Sequence, residues 1–248
     1  MTLPSYIERT FIENWPAELV SLSMRTESVA MTAEDVVALG SYYPQFRRAL
    51  GLDEVYDLSP ALNAALAAAL AKFPGGVMPR LGYCSWKGSS LMPAPVRTIK
   101  ELMAVITRPD ERIARTLVNA AAHRYGLPLH LREWLPMPPQ SEFRAFIRHG
   151  KVAGVSQYFW QDSFGLRDGI VETRNRLNRL LNDILELGHM DDVVADLYVE
   201  HHAPTGRAML IELNPLVGSA DHCLYQARDF DGRLRFRDGS RIMAIELQ

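Results

Sequence analysis

Residues 192–218 read DVVADLYVEHHAPTGRAMLIELNPLVG and decide how the rest of the chain is interpreted. Two apolar segments flank a turn signal, APTG at 203–206, so the stretch predicts a β-hairpin whose turn fixes the register to within about one residue. Side chains two apart in a strand share a face, which places Glu212 and Asn214 together. If Asp196 lies opposite either of them, the three polar groups converge.

Two carboxylates and one carboxamide are hard oxygen ligands, which suit a Mg²⁺ ion that also contacts nucleotide phosphates. Asp196, Glu212 and Asn214 are therefore candidate ligands of a metal ion. The same alternation places Leu210 behind Glu212 and Asn214 on their face. The alternative is a half-exposed hairpin whose polar face meets water, and the pattern of this stretch alone leaves that alternative open.

A second hairpin is predicted at 141–159, SEFRAFIRHGKVAGVSQYF, with its turn at His149-Gly150. A long helix with one leucine-rich stripe follows at about 166–187, and its stripe is expected to pack on the sheet. The tail predicts another hairpin, with a turn at Asp231-Gly232. These elements indicate antiparallel hairpins crossed by one long helix.

The first half of the chain is rich in helix signals. Because the helices come first and the hairpins follow, the order predicts a two-layered α+β fold and not a doubly wound parallel sheet. Helix starts are predicted at Thr32 and at Ser59-Pro60, further helices at 98–106 and 109–125, and strands at 77–83 and 127–134.

Composition narrows the functional classes. The formal net charge is -2, which gives no reason to expect a nucleic acid partner. No apolar stretch of about 18 residues is present, and the first residues lack the pattern of a signal peptide, so a soluble cytoplasmic protein without a membrane anchor is expected. Four lysines stand against 23 arginines, which suggests a GC-rich genome and hence a bacterial or phage source.

Several nucleotide-binding and hydrolytic motifs are missing from the sequence. It has no G-x-G-x-x-G after a strand, no phosphate loop of the G-x-x-x-x-G-K-[ST] type and no zinc-spaced histidine pair. Ser156 lacks a G-x-S-x-G setting, and no local motif supports Cys84 as a nucleophile. Cationic side chains remain as candidates for phosphate binding, each with a solvated strand face or loop packing as its alternative: Arg80, Lys87, Arg132 and Arg144.

Four segments, in order, resemble motifs of the cell division cycle protein 123 family, a divergent branch of the ATP-grasp enzymes. The most specific is SEFRAFIRHGKVAGVSQ at 141–157, which resembles A-E-F-R-C-F-V-x-x-x-K-L-I-G-I-S-Q. MPRLGYCSWKGSS at 78–90 resembles F-P-K-L-N-W-S-x-P-[KR]-D-A, and LHLREW at 129–134 resembles L-V-L-R-K-W. VVADLYV and LIELNPL, within the opening stretch, resemble V-x-D-V-Y and L-I-D-F-N-P-F. The resemblance covers about residues 59–225.

The resemblance implies an ATP-grasp architecture, in which two α+β subdomains with antiparallel sheets clamp Mg-ATP. It implies a mixed N-terminal segment at 1–75, part of the first subdomain at 76–127, and a second subdomain at 128–248 that carries the Mg-ATP site. Carried over by position, Asp196, Glu212 and Asn214 would hold Mg²⁺, and Arg144 would face the phosphates as the catalytic cation. The other cofactor-binding positions would be Arg80, Lys87, Leu131, Arg132, Trp134 and Gln157.

The sequence departs from the family pattern at three places. Arg80 stands where the family has a lysine, Glu133 replaces a second lysine, and the aromatic run at 158–160 replaces an acidic residue. The resemblance implies one of two functions. The first is an ATP-dependent ligase that activates a carboxylate as an acyl phosphate, passes it to an amine and releases ADP and phosphate. The alternative is a non-catalytic assembly chaperone with a protein partner, as in members that assemble translation initiation factor 2.

Overall fold

The computed structural model describes residues 5–82, 84–86, 94–200, 206–217, 220–226 and 228–247. Within these ranges, no helix has both the length and the apolar character needed to cross a membrane. The helices are α1 Ser5–Glu8, α2 Ala17–Ser21, α3 Ala33–Ser41, α4 Pro44–Leu50, α5 Pro60–Leu70, α6 Ile99–Ile106, α7 Glu111–His123 and α8 Ile170–Glu186, with short 3-10 turns at Ile12–Asn14, Pro139–Ser141 and Leu166–Gly169.

The strands form two separate sheets. They are β1 Thr26–Val29, β2 Val77–Leu81, β3 Cys84–Ser85, β4 Leu129–Glu133, β5 Glu142–Arg148, β6 Lys151–Gln157, β7 Val193–Val199, β8 Ala208–Pro215, β9 Arg233–Asp238 and β10 Arg241–Glu246. Together with the helices, they confirm the predicted α+β class.

The chain divides into two compact units, and the first covers Arg25–Leu135 in the described part of the chain. Its sheet has the order β1-β4-β2-β3 and is antiparallel throughout. The predicted helix starts are confirmed. Thr32 and Asp35 form a reciprocal capping box at α3, and the Ser59 hydroxyl accepts a hydrogen bond from the Leu62 amide at 3.1 Å.

The second unit comprises Ser5–Met24 and Pro136–Gln248. The boundaries predicted at 75/76 and 127/128 therefore do not coincide with the two units, because β4 pairs with β1 and β2 of the first unit. The sheet of the second unit has the order β10-β9-β6-β5-β7-β8.

This larger sheet is mixed and not purely antiparallel, since β6 and β9 run parallel. The predicted hairpin turn at Asp231-Gly232 was also wrong. Those residues precede β9, and the turn that joins β9 to β10 lies at Gly239-Ser240. A turn signal before a strand can introduce a non-local pairing as well as a hairpin, and the local sequence does not distinguish the two cases.

Helix α8 packs its apolar stripe on one face of the larger sheet, as predicted. The stripe residues Leu177, Leu180 and Leu181 share a buried cluster with the strand residues Phe143 and Ala195. The β5–β6 hairpin is also confirmed, with positive φ at both His149 and Gly150, the geometry of a tight hairpin turn. Alternation along β5 and β7 then directs the intervening side chains to the opposite face of the sheet.

A β-bulge in β8 changes the predicted face of Leu210. Asp196 pairs with Glu212, but the next residue, Leu197, pairs with Leu210, so the register shifts at Ile211. Leu210 therefore joins the core cluster under α8, while Glu212 and Asn214 keep the other face. The prediction that Leu210 lies behind Glu212 and Asn214 on their face was wrong, because strict alternation does not hold across a bulge.

Candidate functional site

A row of polar side chains crosses four adjacent strands of the larger sheet, on the face opposite α8. Ser156 of β6 pairs with Arg144 of β5, Arg144 pairs with Asp196 of β7, and Asp196 pairs with Glu212 of β8. Asn214 lies in the next row, opposite Val194. The predicted convergence of Asp196, Glu212 and Asn214 is thus present, although the predicted turn residues 203–205 lie outside the described residues.

Arg144 and Asp196 form a bidentate, buried ion pair. The Nε atom of Arg144 lies 2.7 Å from Oδ1 of Asp196, and its Nη2 atom lies 2.9 Å from Oδ2. The side chains are 9% and 2% exposed, so water screens this pair only weakly. The Asn214 amide bridges the two acids, with its Nδ2 atom 3.2 Å from Asp196 Oδ2 and 3.1 Å from Glu212 Oε1.

Arg144 and Glu212 shift the pKa of Asp196 in opposite directions. Burial raises the pKa of Asp196 to about 6, the Arg144 guanidinium works against this rise, and the charge of Glu212 adds to it. Burial also lowers the pKa of Arg144, but the hydrogen bonds and charge of Asp196 outweigh that effect and leave the pKa above its usual value. With all three groups ionised, the cluster carries a net charge of minus one.

This donor set fits magnesium chemically. Two buried carboxylates in one row with a single guanidinium favour an added cation, and carboxylate and carboxamide oxygens are the donors that Mg²⁺ prefers. Across the described residues, no cluster of three or more His, Cys, Asp or Glu side chains is placed to hold a metal. A magnesium ion at this position would therefore depend on Asn214, phosphate oxygens or water to complete its coordination.

Arg144 has two further partners that the sequence did not indicate. Its Nη1 atom donates to the backbone oxygen of Asp221 at 3.0 Å, and its Cζ atom lies 4.7 Å from the centre of the Tyr158 ring. The Asp221 carboxylate accepts hydrogen bonds from the Cys223 amide at 2.8 Å and from the Trp160 indole at 3.4 Å. The aromatic departure from the family pattern at 158–160 therefore lies directly beside Arg144.

Gln157 is fully buried, and its amide is engaged with the backbone around it. Nε2 donates to the backbone oxygens of Phe159 and Asp162 at 2.5 and 2.6 Å, and Oε1 accepts from the Arg237 amide at 3.1 Å. These bonds fix the path of residues 157–162. The predicted contact of Gln157 with the nucleotide stays a prediction.

An aromatic cluster occupies the row next to Arg144. The Phe146 ring lies 4.8 Å from that of Phe230 and stacks on His222 at 5.9 Å. Tyr225 packs over Gly154, where an added Cβ atom would lie 2.6 Å from the ring carbon Cζ. Only glycine leaves room for this ring, so Gly154 lets the segment that carries His222 and Tyr225 pack directly on the sheet.

The remaining predicted positions lie on the smaller sheet. Arg80 and Arg132 share one face and are almost fully buried, with 1% and 0% exposure. The acidic residues of this sheet, Glu27 and Glu133, lie on the opposite face together with the buried Leu131. The structure thus groups two cations on one face and directs Leu131 away from Arg132.

Trp86, which follows β3 in the first unit, has a packing role. Trp86 is fully buried and its indole nitrogen donates to the Tyr43 hydroxyl at 2.9 Å, which agrees with loop packing and not with stacking on a ligand. Trp134, just after β4, is half-buried, and its amide donates to the Gly76 oxygen at 3.0 Å. The predicted phosphate contact of Lys87 falls outside the described residues.

Comparison with known proteins identifies the family. The family model described as D123 matches residues 53–242. Cell division cycle protein 123 of Eremothecium gossypii is 28% identical over 185 residues, which are 70% of this chain and 51% of that protein. A protein of Lodderomyces elongisporus named translation initiation factor eIF2 assembly protein is 23% identical over 192 residues, which are 67% of this chain and 49% of that protein.

A solved structure shares the fold. Cdc123 from Schizosaccharomyces pombe matches with a TM-score of 0.74 and 18% identity, and the match covers 92% of both chains. This chain spans about half the length of the curated relatives named above. The expectation of a bacterial or phage source is not borne out, since these relatives come from fungi. The chain belongs to the D123 family, the family of cell division cycle protein 123.

Proposed function

We propose that this chain is a Mg-ATP-binding assembly factor, which binds nucleotide in order to help a protein complex form in the cytoplasm. The observation that carries the proposal is the polar row on the larger sheet. Its two buried carboxylates, Asp196 and Glu212, lie side by side with Asn214, and Asp196 is paired with Arg144. Such a cluster suits a divalent cation that brings phosphate oxygens with it.

Cationic side chains of the smaller sheet support a phosphate ligand. Arg80 and Arg132 lie on the same face of that sheet, and both side chains are buried. Buried guanidinium groups favour bidentate contacts with anions, and phosphate is one of their preferred ligands. We expect Arg80 and Arg132 to bind phosphate oxygens, and Leu131 and Trp134 to contact the adenine, as the family resemblance implies.

The assembly role has more support than the ligase role. Relatives of this chain are named translation initiation factor eIF2 assembly protein, and those names describe assembly and not ligation. We propose a subunit of translation initiation factor eIF2 as the protein partner.

Calorimetric titration with Mg-ATP tests nucleotide binding. We expect the parent chain and the Glu186→Ala control to bind Mg-ATP, because Glu186 is exposed at the end of α8, the helix that packs on the face of the sheet opposite the polar row. Glu212→Ala should remove the magnesium-dependent part of the affinity, since it deletes one of two carboxylates. Equal affinity of Glu212→Ala and the parent would overturn the metal assignment.

Assembly is tested with purified subunits of translation initiation factor eIF2. We expect the chain to bind one subunit, with Mg-ATP strengthening the complex, and no stoichiometric formation of ADP. ADP that accumulates only when a carboxylate and an amine are both supplied would instead establish the ligase. Failure to bind any subunit, with or without Mg-ATP, would exclude the proposed partner.

A further inference from the structure

The guanidinium of Arg144 is held from several directions. Asp196 accepts two of its hydrogen bonds and the backbone oxygen of Asp221 accepts a third. The Cζ atom of the group lies over the Tyr158 ring, 4.7 Å from its centre. Edge contacts alone allow the guanidinium to tilt out of the carboxylate plane, whereas a ring against its face opposes that tilt.

The backbone around Tyr158 is fixed on several sides. The Tyr158 amide donates to the Glu142 oxygen at 3.0 Å, at the start of the strand that carries Arg144. The buried Gln157 amide secures the following residues, and the Arg237 Nε atom donates to the Trp160 oxygen at 2.9 Å. The ring therefore sits on an anchored segment and offers Arg144 a preformed surface.

The same segment contacts the second acceptor of Arg144. The Trp160 indole donates to the carboxylate of Asp221, whose backbone oxygen takes the third hydrogen bond of the guanidinium. Tyr158 thus contacts the guanidinium of Arg144 directly, whereas Trp160 contacts Asp221, which in turn accepts a hydrogen bond from Arg144. Phe159, between them, is 37% exposed and has its ring against Tyr158.

We propose that Tyr158 is a positioning residue, which keeps the Arg144 guanidinium in the plane of the Asp196 carboxylate and thereby sets the affinity of the polar row for Mg-ATP. The link to Mg-ATP rests on the proposed function, while the link to Arg144 does not. Without the ring, the guanidinium turns away from Asp196 part of the time. The carboxylates then lose the orientation that the row gives them.

Three substitutions separate positioning from simple space filling. Tyr158→Phe keeps the ring face and removes the hydroxyl, so it should preserve the parent behaviour. Tyr158→Leu and Tyr158→Met fill much of the space without a ring, and measuring both guards against the misfolding of one. Phe159→Leu is the matched control, because it removes the neighbouring ring, which packs edge-on against Tyr158.

The first measurement is hydrogen exchange at Nε of Arg144 by NMR in the nucleotide-free protein, with the signal assigned by Arg144→Lys. We expect exchange to be at least about threefold faster in Tyr158→Leu and Tyr158→Met, since a partly desolvated ring–cation contact is lost. Tyr158→Phe and Phe159→Leu should match the parent. Unchanged exchange in both ringless variants, or equal acceleration in Phe159→Leu, would overturn the positioning role.

The second measurement is the Mg-ATP affinity of the same proteins. We expect the ringless variants to bind at least about threefold more weakly and Tyr158→Phe to bind like the parent. Faster exchange with unaltered affinity would refute the link between Tyr158 and the metal row. If the parent itself binds no Mg-ATP, the proposed function fails, and the exchange result alone decides whether Tyr158 positions Arg144.

Discussion

Replacement of Arg144 by methionine tests whether the polar row depends on a single cation. Methionine keeps an unbranched, flexible side chain but removes the charge and the hydrogen-bond donors. Asp196 then loses the bonds at 2.7 and 2.9 Å and stays buried beside Glu212. The backbone oxygen of Asp221 loses its donor as well.

The expected cost follows from burial. Removing one partner of a buried ion pair costs about 3–5 kcal/mol, because the other charge stays in a medium of low polarity. The 2% exposure of Asp196 places this pair in that class, and the like charge of Glu212 adds to the penalty. We therefore expect Arg144→Met to lower the free energy of unfolding by about 3–5 kcal/mol near pH 8.

The loss should depend on pH in a defined direction. The pKa of Asp196 is already raised to about 6 in the folded chain, and removal of Arg144 raises it further, because the guanidinium favours the ionised form. A group with a raised folded pKa stabilises the fold most below its unfolded pKa and loses that effect as the pH rises through the folded pKa. The deficit of Arg144→Met should therefore be smaller near pH 5 than near pH 8.

Urea unfolding at both pH values, followed by circular dichroism, measures the effect. The double variant Arg144→Met with Asp196→Asn supplies the control, because it removes both charges and should recover much of the loss. A deficit below about 1 kcal/mol at pH 8, or an equal deficit at the two pH values, would refute the reasoning.

Three other outcomes are expected. Gly154→Ala should cost about 1–3 kcal/mol in thermal unfolding, since its Cβ atom would meet the Tyr225 ring at 2.6 Å. Calorimetric Mg-ATP affinity should fall as the pH drops below about 6, because protons compete with the metal for Asp196, whose pKa is raised to about 6. Tyr43→Phe should lower thermal stability by about 1–3 kcal/mol, as it leaves the buried Trp86 indole without its acceptor.

Each of these outcomes has a control. Gly126→Ala, where an added Cβ atom meets nothing within 4 Å, should be close to neutral, and a similar cost at both glycines would contradict the packing argument. Affinity that is constant between about pH 5.5 and 7.5 would show that no proton competes at Asp196. A Tyr43→Phe variant as stable as the parent would mean that the Trp86 indole has another hydrogen-bond acceptor.

The local part of the site could be predicted from the sequence. Glu212 and Asn214 share a face because they lie two apart in a strand, and an antiparallel hairpin brings Asp196 opposite. The pairing of Arg144 with Asp196 could not be predicted in this way. It depends on β5 lying beside β7, and the residues are 52 apart in the chain, so no local pattern encodes their contact.

Other features of the structure could not be predicted from the sequence, for related reasons. The parallel pairing of β9 with β6 joins distant segments, and the turn signal at Asp231-Gly232 was therefore assigned to the wrong connection. Asp221 contributes through its backbone oxygen, which every residue possesses, so its side-chain type gave no signal. In the sequence, Tyr158 stands out only as a departure from the family pattern, because its ring contact depends on the path of the segment after β6.

The bulge at Ile211 divides β8 into two parts whose side chains lie in different environments. Leu210 packs in the core under α8, whereas Glu212 and Asn214 lie on the face that carries the polar row. Deleting Ile211 would leave these faces unchanged, because Leu210 and Glu212 would then be neighbours in a regular strand, whereas inserting one more residue beside the bulge would exchange the faces of one part. Across the homologues of this chain, we expect loss of the bulge residue to be tolerated more often than insertions in β8.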